Sequence, residues 1–185
     1  MALASHDPRD AREPPALRER LQPALLDRLT DEHPGQRSEP EAQRVMSKAQ
    51  LRQAVLRDLR WLFNATQAHA DWNDTHPTLA RSVLNFGLPP LAGQRASKLD
   101  VHELERAITS AILRFEPRIL PQHLSVRAVQ GGSVLDTHNM IEFEIRGQLW
   151  AQPVALDILL RTRLDLEAGQ VEVRDASVGL PPRGL

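Results

Sequence analysis

The stretch 100-DVHELERAITSAILRFEPRILPQHLSVRA-128 changes its hydrophobic period part-way along, and that change decides the fold. Up to Phe115 the apolar residues Val101, Leu104, Ile108, Ala111, Ile112 and Phe115 recur at three- and four-residue steps. That spacing is the buried stripe of an amphipathic helix. Asp100 is placed as its N-cap, with Glu103 as the partner in a capping box. Pro117 ends the helix, because the residue before a proline is pushed out of the helical region. Beyond it the period becomes two: Leu124, Val126 and Ala128 alternate with polar residues, as one side of a strand does.

The same alternation continues downstream. Ile141, Phe143 and Ile145 alternate with Glu142, Glu144 and Arg146. Val154, Leu156, Ile158 and Leu160 share a face of the next strand, which Leu164 and Leu166 extend. A turn over Glu167-Ala168-Gly169-Gln170 leads to Val171 and Val173, and Gly131-Gly132 marks an earlier turn or loop. The pattern predicts an antiparallel meander with one buried face. Upstream, Ser47 and Gln50 form a capping box for a helix with the stripe Leu51, Val55, Leu56, Leu59, Leu62 and Phe63, ending near Asn64. Between the two helices, TLARSVLNFGLPPLAG (78–93) reads as a short helical turn or strand, then an irregular segment broken by Gly87, Pro89 and Pro90. Helices first and sheet second give an α+β fold, with the helices packed on one face of the sheet.

Residues 1–16 are polar and proline-containing, and read as a disordered tail. Leu17, Leu21, Leu25 and Leu29 then repeat every four residues, with Leu26 beside them, and predict an amphipathic helix over 17–30. A polar linker is expected over 31–46, a single α+β domain over 47–177 and a flexible C-terminus over 178–185. A helix set between tail and linker does not bury its own leucines. Either it packs back on the domain or it docks into a partner.

Composition narrows the function. The 185 residues fit one domain plus a tail, and 41% apolar content suffices for a core. Basic and acidic residues number 23 and 24, which argues against a nucleic-acid partner. The absence of cysteine excludes disulfides, thiolate metal sites and cysteine nucleophiles. The apolar runs are far shorter than the roughly 20 residues of a membrane span, and the N-terminus has no signal-peptide pattern. A cytoplasmic protein without membrane insertion is the expectation.

Site chemistry is sparse. His6, His33, His69, His76, His102, His123 and His138 are dispersed and form no His-Glu-x-x-His pair, so no metal site is expected. Asp71-Trp72-Asn73-Asp74-Thr75 lacks the central glycine and distal glutamate of a calcium loop. No nucleophile elbow or phosphate loop is present, and no cofactor is implied. Glu142 and Glu144 share one face of a strand at a separation a glycosidase could use, but on the solvent side, where charge is ordinary. The feature that stands out is Glu116-Pro117-Arg118 at the helix-to-strand joint. Its two charges could pair with each other, cap backbone groups or reach a partner.

Those residues carry a resemblance. Glu105-Arg106-Ala107-Ile108, the run Ala111 to Leu120 with its Glu-Pro-Arg triplet, Ser82 to Pro89, Ile141 to Ile145 and Leu149-Trp150 resemble a baseplate family of contractile injection machines. Its members include the small baseplate subunit of the bacterial type VI secretion system and wedge proteins of contractile-phage tails. Leu25-Leu26-Asp27-Arg28-Leu29 is similar to the family's N-terminal helix, and the likeness covers about residues 21–175. The family is often labelled lysozyme-like, yet the resemblance implies a structural subunit rather than an enzyme. It further implies a fold similar to the conserved domain of the sheath protein, and partnership with larger wedge subunits and with contractile sheath. The location implied is a cytoplasmic baseplate docked at the inner membrane. Carried over by residue, Glu116, Pro117 and Arg118 become the sheath-proximal motif. Leu21, Leu25, Leu26 and Leu29 become the wedge-docking face. A peptidoglycan-cleaving hydrolase using a carboxylate pair is the alternative.

Overall fold

A computed structural model describes residues 24–30, 46–68, 76–92, 100–129, 139–152 and 154–176. In chain order these form α1 (Leu25–Leu29), α2 (Lys48–Asn64), α3 (Pro77–Ala80) and α4 (Val101–Phe115). Four strands follow: β1 (Ser125–Ala128), β2 (Met140–Leu149), β3 (Leu156–Asp165) and β4 (Gln170–Asp175). Short 3-10 turns occupy Val83–Asn85 and Pro121–His123.

The helix starts follow their caps. At α2 the Gln50 N–H donates to the Ser47 hydroxyl at 3.2 Å, and the Ser47 N–H donates to the Gln50 side chain at 2.9 Å. The expected capping box is therefore in place. At α4 the Asp100 carboxylate accepts from the His102 N–H at 2.8 Å, so the cap bond goes to the second residue of the helix. Glu103, expected to close a box there, faces Arg106 at 4.0 Å instead.

The four strands form one antiparallel sheet in the order β1-β2-β3-β4, which is the expected meander. Register follows the apolar alternation: Val126 lies opposite Ile145, Ile145 opposite Leu160, and Leu164 opposite Val171. These side chains all turn inward. There α2 packs along β4 and α4 packs against β1, and the two helices also touch each other. Leu59, Leu62, Ile112, Phe143, Ile145 and Leu160 are fully buried in the layer between helices and sheet. Each large side chain so buried contributes about 1.5–3 kcal/mol. Thr162, on the same inner face, satisfies its hydroxyl on the Phe143 carbonyl at 3.4 Å.

Some boundaries differ from the sequence reading. Strand β3 begins at Leu156, and Val154 is exposed ahead of it. Leu166 is buried, but in the turn after β3 rather than within it. The segment after residue 76 resolves into α3, a 3-10 turn and a parallel bridge between Thr66 and Leu88. Gly87 makes that bridge possible. Its φ is +131°, and a Cβ there would lie 2.3 Å from the Ala65 carbonyl oxygen. The expected tail, residues 31–45 of the linker, the Gly131-Gly132 turn and the C-terminus lie outside the described residues, as do Leu17 and Leu21, while Met46, placed at the end of the linker, is buried in the core.

Candidate functional site

Pro117 stops α4, and the chain turns at once into the sheet. The Glu116 N–H closes the helix on the Ile112 carbonyl at 2.8 Å. Two residues later the chain is stitched to the end of β2. The Trp150 N–H donates to the Arg118 carbonyl, and the Leu120 N–H to the Gln148 carbonyl, each at 2.8 Å. Backbone bonds on both sides thus fix the corner holding Glu116, Pro117 and Arg118.

Of the three ways sequence left open for the corner charges, two are realised together. Glu116 is only 3% exposed. Its Oε1 accepts from the Arg118 Nε at 2.6 Å and from the Arg118 backbone N–H at 3.2 Å, while its Oε2 accepts from the Arg118 Nη2 at 2.5 Å. A buried carboxylate demands such pairing. Arg118 also donates through Nη2 to Asp58 Oδ2 on α2, at 2.5 Å. Burial works to push the pKa of this guanidinium down. The hydrogen bonds and attraction of Glu116, with those of Asp58, outweigh it, so the pKa is raised and the charge is fixed.

The pairing does not stop at Asp58. Arg57, its neighbour on α2, donates from Nε to Asp58 Oδ1 at 2.9 Å and from Nη1 to Asp27 Oδ1 at 2.7 Å. The hydrogen bond to Asp58 leads in raising the Arg57 pKa, against the opposing effect of burial and with help from Asp27. The guanidinium also lies 5.2 Å from the Trp61 ring centroid, within cation–π range. Asp27–Arg57–Asp58–Arg118–Glu116 is therefore a row of alternating charge running from α1, across α2, to the helix–strand corner. Sequence reading missed Asp27, Arg57 and Asp58 as members. The only signal was an adjacent Arg-Asp pair beside the apolar stripe of α2, a pattern common on solvated helix faces.

That row also orients α1. Its acidic side is held on α2 through Asp27, and its leucines face outward, Leu25 and Leu29 each 72% exposed and Leu26 42%. The second oxygen of Asp27 is buried without a hydrogen-bond partner among the described residues, so the contact is only half satisfied. Near the corner, Trp150 is exposed although its backbone is pinned to Arg118.

The carboxylates weighed for hydrolysis stand apart from this site. Glu142 pairs with Arg163 at 3.1 Å and Glu144 with Arg146 at 2.6 Å, both on the outer face of the sheet. Among the described residues, no group of three histidines or carboxylates could hold a metal ion.

A family profile described as baseplate wedge protein gp25 matches residues 49–154. The match runs from the first turn of α2 through β2 and includes Asp58 and the Glu116-Pro117-Arg118 corner. No curated protein and no solved structure matches the chain.

Proposed function

The chain belongs to the baseplate wedge protein gp25 family, and from that premise we propose that it is the small wedge subunit of a type VI secretion baseplate, similar to TssE, the type VI member of the family. In this reading it joins the larger wedge subunits and offers its sheet as the template on which the first ring of contractile sheath assembles. An added strand from a sheath arm would satisfy the unpaired groups of a sheet edge. The subunit works in the cytoplasm, within a baseplate docked at the inner membrane. Among the described residues no helix is long and apolar enough to cross a membrane.

The observation that carries the reading is the corner. Glu116 holds Arg118 in one orientation, so a fixed, partly exposed guanidinium stands at the corner, whose backbone is pinned to the exposed Trp150. Arg118 is the charge a sheath subunit meets, and Glu116 positions it. The outward leucines of α1 support the docking role of Leu25, Leu26 and Leu29 toward the larger wedge subunits, a face that Leu21 extends by sequence spacing. The subunit is not an enzyme. The family is structural in general, and the two carboxylates a peptidoglycan-cleaving mechanism would recruit are each tied to an arginine.

The test is sheath assembly in living cells. Fluorescent sheath protein is imaged in a strain lacking this gene, complemented by wild type or by Glu116→Ala with Arg118→Ala, with circular dichroism to check folding. The reading expects sheaths with wild type and none with the folded double variant. Undiminished sheaths in the deletion strain would sink it.

A further inference from the structure

The outer side of α4 carries residues that its buried stripe leaves out. Ser110, Leu113 and Arg114 share one face there, at steps of three and four. Facing them is α3, with Arg81 at its C-terminal end. Between the two helices lies a groove of about 570 Å³, lined by Pro77, Ala80, Arg81, Ser110, Leu113 and Arg114. That volume falls within the range of small-molecule sites. The wall formed by α3 is held in place. Ala80 is buried, and Phe86 meets Phe115 edge-on with ring centroids 5.2 Å apart. Just beyond, the Leu88 N–H donates to the Ala65 carbonyl at 2.9 Å.

The lining is basic. Arg81 contributes from one wall and Arg114 from the other, with the Ser110 hydroxyl on the same helix face as Arg114. No acidic residue lines the groove among the described residues, and the sequence has none from Thr75 to Leu99. Arg81 is exposed, and among the described residues its side chain enters no ion pair. By contrast, Arg146, Arg163 and Arg174 on the outer face of the sheet each have a glutamate partner. Two guanidinium groups that share a groove repel each other, and an anion bound between them relieves that repulsion.

We propose that this groove binds a phosphate ester. A guanidinium fork meets two oxygens at once, and a tetrahedral phosphate presents oxygens to two forks and a hydroxyl together. A carboxylate has two oxygens in one plane and fills a single fork. Pro77, Ala80 and Leu113 give the groove an apolar side for the carbon body of the ester. Two sources share this chemistry: a soluble ester and the headgroup of a phospholipid. The 3-10 turn that follows Arg81 carries Val83 and Leu84, 83% and 63% exposed, and a lipid source would bring a bilayer surface against them. The site goes beyond the assembly role and is tested separately from it.

Two probes test this. Glycerol phosphate is titrated into the isotope-labelled full chain at constant ionic strength and followed by amide NMR. The expected result is saturable shifts at Arg81, Ser110, Leu113 and Arg114. Arg81→Gln and Arg114→Gln should each weaken binding about tenfold or more, as loss of a charged hydrogen bond does. Arg161→Gln should leave it unchanged. That arginine is also exposed and without an ion pair among the described residues, but it lies on the outer face of the sheet. In the second arm the chain is sedimented with vesicles of phosphatidylglycerol and phosphatidylcholine. Vesicle binding that falls in Arg81→Gln and in Leu84→Ser assigns the phosphate to a lipid. Saturation by glycerol phosphate without vesicle binding assigns it to a soluble ester. The proposal is overturned if neither probe binds, if the two groove variants bind like wild type, or if Arg161→Gln weakens binding as much as they do. Should Arg114→Gln misfold, Arg81→Gln at its exposed position decides alone.

Discussion

Replacing Arg118 by methionine tests whether the corner is held by charge pairing. The substitution keeps most of the aliphatic stem and removes the guanidinium. Glu116, 3% exposed, would then retain only the Arg118 backbone N–H at 3.2 Å as a donor among the described residues. Stranding one member of a buried ion pair costs about 3–5 kcal/mol. Asp58 would suffer less, because its side chain is 26% exposed and keeps Arg57. Urea unfolding followed by circular dichroism reads the loss. With a slope of about 1–3 kcal/mol per molar urea, the midpoint should fall by at least about 1 M. Adding Glu116→Leu to Arg118→Met removes the stranded charge, and the double variant should recover most of the loss, since apolar replacement of a buried pair is often close to neutral. The cycle should therefore show coupling of about 2–3 kcal/mol. A loss below about 1 kcal/mol for Arg118→Met, or strict additivity in the cycle, would mean that the Glu116 carboxylate is solvated and the pairing argument is wrong. The recovered double variant also separates brace from contact: stable yet unable to nucleate sheath, it would assign Arg118 an external role.

Three further outcomes follow from other contacts. Asp27→Ala should cost the domain less than about 1 kcal/mol, because one oxygen of Asp27 is already unsatisfied, while amide exchange over Leu25–Leu29 rises to that of a free peptide. Gly87→Ala should destabilise by about 2 kcal/mol or more in the same urea assay, since it combines a positive φ with a clash against the Ala65 carbonyl. Glu105→Gln should remove a pH-dependent component of stability. The native carboxyl lies below its ordinary 4.5, so its contribution is complete above that value and lost as pH falls through the lower native one. The gap between wild type and variant should accordingly narrow in acid, and a constant gap from pH 6 to pH 3 would contradict the hydrogen bond that the Ala128 N–H donates to Glu105 Oε1 at 2.7 Å.

What could be read from the sequence was what depends on local spacing. The Ser47–Gln50 box, the stripes of α2 and α4, the stop at Pro117 and the alternation in β2 and β3 are all encoded within a few residues. The contacts that define the site are not local. Asp58 meets Arg118 across 60 positions, and Asn64 meets Val171 across 107. In sequence, Asn64 was only the place where a stripe ended, and Glu105 only one member of a run that carried the resemblance, with no contact assigned to it. The Glu103 box failed because the Asp100 side chain reached the nearer N–H, a choice between two donors that residue types do not determine. Orientation of α1 was likewise invisible. Spacing marked a leucine face, but only the anchor at Asp27 decided that this face turns away from the domain.

The outward leucines of α1 have a bearing on how the cell handles an orphan subunit. A five-residue helix is marginal on its own, and this one keeps Leu25 and Leu29 in water while, among the described residues, the Asp27–Arg57 pair ties it down. Chaperones and proteases act on exposed apolar segments, so a copy without its assembly partner carries a standing mark of incompleteness. Docking that buries the leucines would erase the mark, and supply would then be trimmed to match demand without a dedicated regulator. Lifetime in the cell becomes a readout of occupancy: the half-life of the free chain should lengthen when the larger wedge subunits are co-produced, and Leu25→Ser with Leu29→Ser should lengthen it without them.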